Sequence, residues 1–458
     1  MASIAGALGR IKDDLQAYVP PQQVLDACRE AGHVWRERKL GPVPTLHLFV
    51  LQLLHCNTAI CALRHLTRTP LNAAAYCRAR MRLPLAVLQV LLHRSAEAIN
   101  QSHGGGRLWL GHRTLLLDGS SSIAPDTAAS RRAFGQPAGQ KPGCGFPVPK
   151  ILGMIDAFTG VMLEMLIFPL YTHEARKTWT LSAGMKPGDL VIADRGFCSF
   201  VNLALLQAAC VLAVLRMHQR QIVSFHPHRR HQAGKRGAGR VGRVGGRGLP
   251  TSRWVRRLGA HDQLVDWVKP KQRPTWMSRR QYDGLPESLR VRELRYTLTR
   301  KGQRTVRVTI VTTLLDERAY SRQAVADLYG VRWSVETHLG ELKTTLKMRK
   351  VKCRTPAGVK KELIAYALVY NLVRAIMLQA AQRQRVSVDR ISFIDALRWL
   401  QRAEPGDPPP QLVVNPHRPG RHEPRVIKDL IDSYRKMSRP RRTLRQALKR
   451  GEEVGRVK

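Results

Sequence analysis

Along the first hundred residues apolar side chains recur every three or four positions. This period predicts helices over 15–39, 46–67 and 83–100, broken by Pro20, Pro44, Pro70 and Pro84. After Gly104-Gly-Gly106 the rhythm changes to the short apolar runs and alternation of strands. Residues 108–117 predict a buried strand that ends at Asp118-Gly-Ser-Ser-Ser. Residues 149–157 turn at Phe158-Thr-Gly160 and return over 161–168 as a hairpin. A helix over 172–183, a strand over 189–193 ending at Asp194-Arg-Gly-Phe197, a helix over 199–209 and a strand over 211–217 follow. Three strands in a meander, then helix and strand in turn, predict a mixed α/β sheet.

The most regular helical pattern spans residues 321–347. Leu328, Val331, Val335, Leu339, Leu342 and Leu346 form an apolar stripe, and Tyr329, Arg332, Glu336 and Lys343 form a polar line beside it. At about 100° per residue the four polar positions fall within roughly 60° of one another and span about 21 Å. On its own such a line is most simply a solvated helix face. Further helices are predicted over 355–383, against the sheet, and over 391–402.

About 100 residues between the predicted strand at 211–217 and the helix from 321 read as an insertion. Runs at 254–258, 263–268, 289–299 and 305–314 alternate as antiparallel strands. Trp254, Trp267 and Trp276 sit there in a basic setting, as stacking platforms for an unpaired base or as fillers of a small β core. Residues 216–261 hold twelve Arg and Lys, five His and no acid. Gly237-Ala-Gly-Arg-Val-Gly242 matches a dinucleotide fingerprint literally. Without a strand before it and a helix after it, the stretch reads as a basic loop instead.

Charge decides among partners. Lys and Arg total 77 against 33 Asp and Glu, a net formal charge of +44, in a chain whose 43% hydrophobic content supports real cores. A polyanion is the expected partner, nucleic acid ahead of an anionic membrane surface. The most apolar helix, 363–381, is interrupted by Asn371 and Arg374, so no membrane span is expected, and the opening residues lack the pattern of a secretory signal. Eight cysteines without a C-x-x-C pair read as reduced intracellular thiols, and Cys56, Cys61 and His65 lack a fourth zinc ligand. Arg64, Arg68, Arg78, Arg80 and Arg82 mark the helical start as a DNA contact or simply a basic surface. Six prolines over 404–420 indicate a linker. Eight Lys or Arg without an acid over 434–450 indicate a helix for DNA or self-association, or a solvated tail.

Candidate chemistry rests on three carboxylates. Asp118 follows Leu115-Leu-Leu117, and Asp194 follows Val191-Ile-Ala193. Each stands at the end of a buried strand, where sheets of this class bind ligands, although Asp-Gly and Asp-Arg-Gly are also ordinary turn signals. With Glu336 they form a set suited to Mg²⁺. Two such ions support in-line displacement at phosphorus. Arg332 and Lys343 would then hold the DNA backbone, and Tyr329 would donate to a phosphate or stack.

Asp118-Gly-Ser with Pro125-Asp-Thr127, the run GQPAGQKPGCGFPVP over 135–149, Asp194-Arg-Gly-Phe197 and the Tyr-x2-Arg-x3-Glu-x6-Lys spacing resemble the DDE transposases of the insertion-sequence-four type over about residues 35–385. The resemblance implies an α/β fold: an RNase H-like mixed-sheet catalytic core with a β-rich insertion and helical N- and C-terminal regions. The expected division is 1–105 helical, 106–218 first part of the core, 219–317 basic β-rich insertion, 318–403 second part of the core, and 404–458 linker and basic tail. It further implies Asp118, Asp194 and Glu336 as catalytic ligands of two Mg²⁺ or Mn²⁺ ions. Tyr329, Arg332 and Lys343 would lie on the DNA, with Trp333 against a displaced base. The implied activity is cleavage at element ends and transfer to target DNA, by a homodimer on paired ends of double-stranded DNA, in the bacterial cytoplasm at the nucleoid and with no membrane role. The alternatives are a catalytically silent DNA-binding derivative and a metal-dependent nuclease without strand transfer.

Overall fold

The computed structural model describes residues 18–36, 39–67, 71–104, 108–138, 144–172, 174–181, 184–221, 223–227, 249–298, 306–402, 411–416 and 440–452. The Gly/Arg stretch around Gly237, most of the proline-rich linker, Arg68 and residues 434–439 lie outside the described residues.

The periodic start folds as helices α1 (Pro21–Glu30), α2 (Pro42–Leu54), α3 (Ala73–Arg82) and α4 (Leu85–Ile99). Prolines open α1 and α2 at their first helical positions, where no backbone donor is lost. Asn72 caps α3 by accepting from the Ala75 N–H at 3.0 Å. Of the basic residues there, Arg64, Arg78 and Arg82 are exposed. Arg80 is turned inward, donating to Gln52 Oε1 at 2.8 Å and Cys353 Sγ at 2.7 Å, with its guanidinium 4.1 Å from the centre of the Phe49 ring.

The strands are β1 (Thr114–Ser121), β2 (Lys150–Asp156), β3 (Met162–Phe168), β4 (Leu190–Ala193), β5 (Leu212–Arg216), β6 (Thr251–Gly259), β7 (Asp262–Val268), β8 (Ser288–Leu298) and β9 (Val306–Thr312). They make one nine-stranded mixed sheet in the order β3-β2-β1-β4-β5-β9-β8-β7-β6. β1, β4 and β5 are parallel neighbours, and the β2–β3 hairpin and the strands from β9 to β6 pair antiparallel. Alternate residues of the parallel strands enter two different cores. Leu116, Ile192 and Val214 face one, and Leu115, Leu117, Val191, Ala193, Ala213 and Leu215 face the other. Burial on both faces explains why these strands read as unbroken apolar runs.

Four more helices, α5 (Ala128–Phe134), α6 (Phe200–Ala208), α7 (Arg322–Val331) and α8 (Ser334–Gly340), flank the sheet, followed by α9 (Pro356–Gln384) and α10 (Phe393–Arg402). α9 packs against α4, α2, α10 and β3. It is long and apolar enough to cross a membrane by length and composition, and 94% of its apolar window is buried inside the protein, as in a core helix. Its polar residues are core fasteners. Asn371 donates to Met162 O and accepts from Met162 N, both at 2.8 Å, and Arg374 donates twice to Thr159 O, at 3.1 and 2.7 Å. Gly160, at φ +69°, lets the β2–β3 turn lie flat on that guanidinium, where a side chain would overlap it.

Candidate active site

The two aspartates meet through sheet register. Leu117 pairs with Ala193 across the parallel β1–β4 ladder, so Asp118 and Asp194 follow as neighbours at one rim. They are held differently. β4 stops at Ala193, as the sequence indicates, whereas β1 runs on to Ser121 because β2 continues beside it, pairing Asp118 with Gly153 and Ser121 with Lys150. Asp118 is therefore part of a strand, paired on one side and open on the other.

Asp118 Oδ1 accepts the Gly119 N–H at 2.8 Å. Burial pushes its carboxyl up to about 6. The Gly119 bond and the Arg332 charge pull it back, and the Asp194 and Glu174 charges add to the rise. Asp194 precedes the short turn Arg195–Phe197 without capping it by its side chain, and its Oδ1 is buried with no hydrogen-bond partner. One rim thus holds two adjacent carboxylates, one destabilised as an anion and one incompletely satisfied. A hard divalent cation repairs both defects, and the oxygen-only donor set suits it.

The helix predicted over 321–347 is in fact three pieces. Ser321 caps α7 through the Ala324 N–H at 3.2 Å. At its end the ladder shifts to three-residue spacing, with Arg332 N bonded to Tyr329 O, Trp333 N to Gly330 O, Val335 N to Arg332 O and Glu336 N to Trp333 O. The Ser334 hydroxyl donates to Val331 O at 2.8 Å, competing with a backbone donor. α8 follows, and a π turn over Glu341–Thr345 carries Lys343.

The polar line is divided: its first two members are buried, Lys343 is half-buried and Glu336 is exposed. Tyr329 and Arg332 are 3% and 5% exposed, which rules out a solvated face for them. The Tyr329 hydroxyl is buried without a hydrogen-bond partner, and burial raises its pKa, with Arg332, Asp194 and Arg216 acting on it electrostatically. The Arg332 guanidinium lies 4.7 Å from the Trp333 ring centre and 5.8 Å from that of Tyr329. Its Nη2 donates to Glu336 Oε1 at 3.4 Å, and its Nε has no partner. Trp333 is 40% exposed, and the Glu336 side chain 51%. Burial, then the Arg349 charge, holds the Lys343 ammonium below its ordinary pKa.

α8 packs against β1, and Arg332, which donates to Glu336, acts electrostatically on Asp118. As they stand, no three His, Cys, Asp or Glu among the described residues form a group that could hold a metal ion. The Glu336 carboxylate is engaged with Arg332 instead.

Glu174, which no sequence motif singles out, adds its charge at Asp118 from the neighbourhood of Gly119. Glu174 sits in the short turn Glu174–Arg176, and Lys150 Nζ is 3.5 Å from its Oε1. The signal was Gly119: a glycine inside a strand marks a close approach, and a Cβ there would overlap the Glu174 carboxyl group. Of the insertion tryptophans, Trp267 is 1% exposed and donates to Glu293 Oε1 at 2.9 Å, which makes it a core residue. Trp276 packs beside Val201, Met277 and Tyr282. A cavity of about 640 Å³, bordered by His93, Arg113, Asp156 and Glu164, lies toward the opposite end of β1 and is separate from the carboxylates.

The sequence profile of the family described as "Transposase DDE domain" matches residues 109–372, more than half of the 458-residue chain. The chain belongs to that family, as a DDE transposase of the insertion-sequence-four type. It is a DNA transposase, an enzyme of DNA cleavage and strand transfer that binds DNA and depends on a divalent metal ion. It is 24% identical over 375 residues to transposase InsG for insertion sequence element IS4 of Escherichia coli (strain K12), covering 78% of this chain and 76% of that protein. A cryo-EM structure of the piggyBac transposase synaptic complex with hairpin DNA aligns with a TM-score of 0.42 at 11% identity, over 85% of this chain and 78% of that one. That score is too low to bear on fold or site.

Proposed function

We propose that Asp118, Asp194 and Glu336 are the catalytic carboxylates of this transposase and the ligands of two Mg²⁺ or Mn²⁺ ions. The observation that carries this reading is the placement of Asp118 and Asp194 at adjacent positions of two parallel strands, one of them with an unpartnered buried oxygen. When bound, the ions supply Lewis-acid charge that activates a water or 3′-hydroxyl and stabilises the leaving oxygen in in-line displacement at phosphorus. The sheet rim holds Asp118 and Asp194 against movement. Arg332 orients Glu336 and lowers the proton affinity of Asp118. Lys343, and Tyr329 once its buried hydroxyl is uncovered, hold the backbone of the element end, and exposed Trp333 offers a face for a displaced base beside Arg332.

The five strands β3-β2-β1-β4-β5, with three parallel neighbours and a hairpin, support an RNase H-like core in the parts 106–218 and 318–403. The basic insertion would span 219–317, between a helical region over 1–105 and a linker with a basic tail over 404–458. The protein acts as a homodimer on paired terminal repeats and target DNA, at the nucleoid in the cytoplasm and without a membrane role. The test is incubation with the DNA flanking its own gene plus Mg²⁺. Nicks at the element ends and joined products are expected, and Glu336→Gln should remove both while sparing DNA binding. Cleavage that survives Glu336→Gln overturns the assignment.

A further inference from the structure

The backbone ladder is irregular at both ends of α8. Three-residue hydrogen bonds precede it, and after it the Leu346 N–H reaches back five residues to Glu341 O at 2.9 Å. A seven-residue helix between such irregularities is not stable by itself, so tertiary contacts must set which way its faces point. His338 follows Glu336 by two positions, about 200° around the helix. Its side chain is 4% exposed, against 51% for Glu336.

The His338 Nδ1 lies 3.0 Å from the Tyr370 hydroxyl of α9. That hydroxyl donates its one proton to Gly160 O at 2.9 Å, so the Nδ1–H is the donor to the phenol oxygen. The Glu341 carboxylate, at the start of the π turn, stands 3.7 Å from the same nitrogen, and its Oε2 is buried without a hydrogen-bond partner. Its charge favours the proton on Nδ1. Tyr370 is fully buried and stacks on Phe393, with ring centres 5.7 Å apart. An imidazole, a phenol and a carboxylate buried together cost desolvation that apolar side chains of the same size avoid, and what they contribute is direction. Gly160 lies in the turn of the hairpin whose β2 pairs with the Asp118 strand. A continuous set of contacts therefore runs from β1 through β2, Gly160, Tyr370 and His338 to the buried side of α8.

We propose that His338, Tyr370 and Glu341 are positioning residues for Glu336, locking the rotation of α8 so that its carboxylate leaves the helix on the side away from Tyr370. This rests on the reading of Glu336 as a catalytic carboxylate. The cluster sets the direction of the Cα–Cβ bond and leaves the Glu336 rotamer free.

The test uses the full-length protein and the DNA flanking its own gene, with single-turnover cleavage at saturating DNA and Mg²⁺, below the melting temperature of every variant. Tyr370→Phe and His338→Leu keep the side-chain bulk and remove the directed bond. Each is expected to lower the saturated rate about ten- to a hundredfold, with DNA affinity within about twofold of the parent. His338→Asn presents an amide N–H where Nδ1 stands and should recover most of what His338→Leu loses, although its smaller side chain melts at a lower temperature. A purely structural role predicts the reverse order, with the rate following stability. Hydrogen exchange of the metal-free protein gives a readout apart from activity: in Tyr370→Phe the amides of 334–345 should exchange at least about tenfold faster, with those of β1 unchanged. Glu336→Gln serves as the reference. If it abolishes cleavage while Tyr370→Phe and His338→Leu cleave as the parent does, the proposal falls and the reading of Glu336 stands. If Glu336→Gln cleaves as the parent does, both fall. A loss in His338→Asn as large as in His338→Leu also overturns the proposal.

Discussion

The sheet rim and the broken helix position their carboxylates by opposite means. At the rim, position is set by the β1–β4 register, and Asp118 cannot shift without sliding a strand buried on both faces. Along the helix, position is set by interruptions. Glu336 follows a stretch of three-residue hydrogen bonds, is 51% exposed and is held by one long contact to Arg332. One half of the site is fixed and the other adjustable. A rigid strand pair can keep unsatisfied carboxylates in place, whereas an exposed helical side chain changes rotamer at little cost.

Replacing the fixed half should have the largest effect. Asp118→Asn or Asp194→Asn is expected to lower the cleavage rate at least about a thousandfold, several kcal/mol of barrier, with DNA binding within about threefold of the parent. Single-turnover cleavage and gel-shift titration check it, and residual cleavage above that range would show the rim is not where the chemistry depends on charge.

Smaller effects sharpen the link between the halves. Because the Arg332 charge lowers the proton affinity of Asp118, Arg332→Gln should move the pH midpoint of Mn²⁺ uptake upward, by about half a unit or more. An unmoved midpoint would reduce Arg332 to a phosphate contact. In the metal-free protein Asp118 keeps its proton to about pH 6, above the usual carboxylate value near 4. A raised folded-state pKa gives stability that is complete below about pH 4 and lost as pH rises through about 6. Melting temperature measured across that window should therefore fall less in Asp118→Asn than in the parent. The smallest change is expected at Lys343→Ala. The salt dependence of DNA affinity should lose about one unit of slope, with cleavage of saturated complexes nearly unchanged.

Much of the scaffold was legible because its cause is local. Thr159-Gly160 announces the β2–β3 turn, the prolines separate the first helices, and the apolar run before Asp194 ends where β4 ends. The Tyr-x2-Arg-x3-Glu-x6-Lys spacing carried the family, since a linear motif needs no tertiary knowledge. The helix break was not legible. Leu328 through Leu346 keep a helical period across it, and the competing bond from the Ser334 hydroxyl leaves no trace in hydrophobicity.

Residue order thus determined which chemistry was available: three carboxylates, their basic companions, the apolar strand runs that precede two of them, and a charge suited to a polyanion. Tertiary structure decided which of those groups face one another. It put Asp118 beside Asp194 through a ladder between strands separated by the hairpin, buried Tyr329 and Arg332 where periodicity placed them on a solvated line, and lowered Glu174 onto Gly119. Register, burial and close approach depend on which distant segments pack together, and no window along the chain contains both partners.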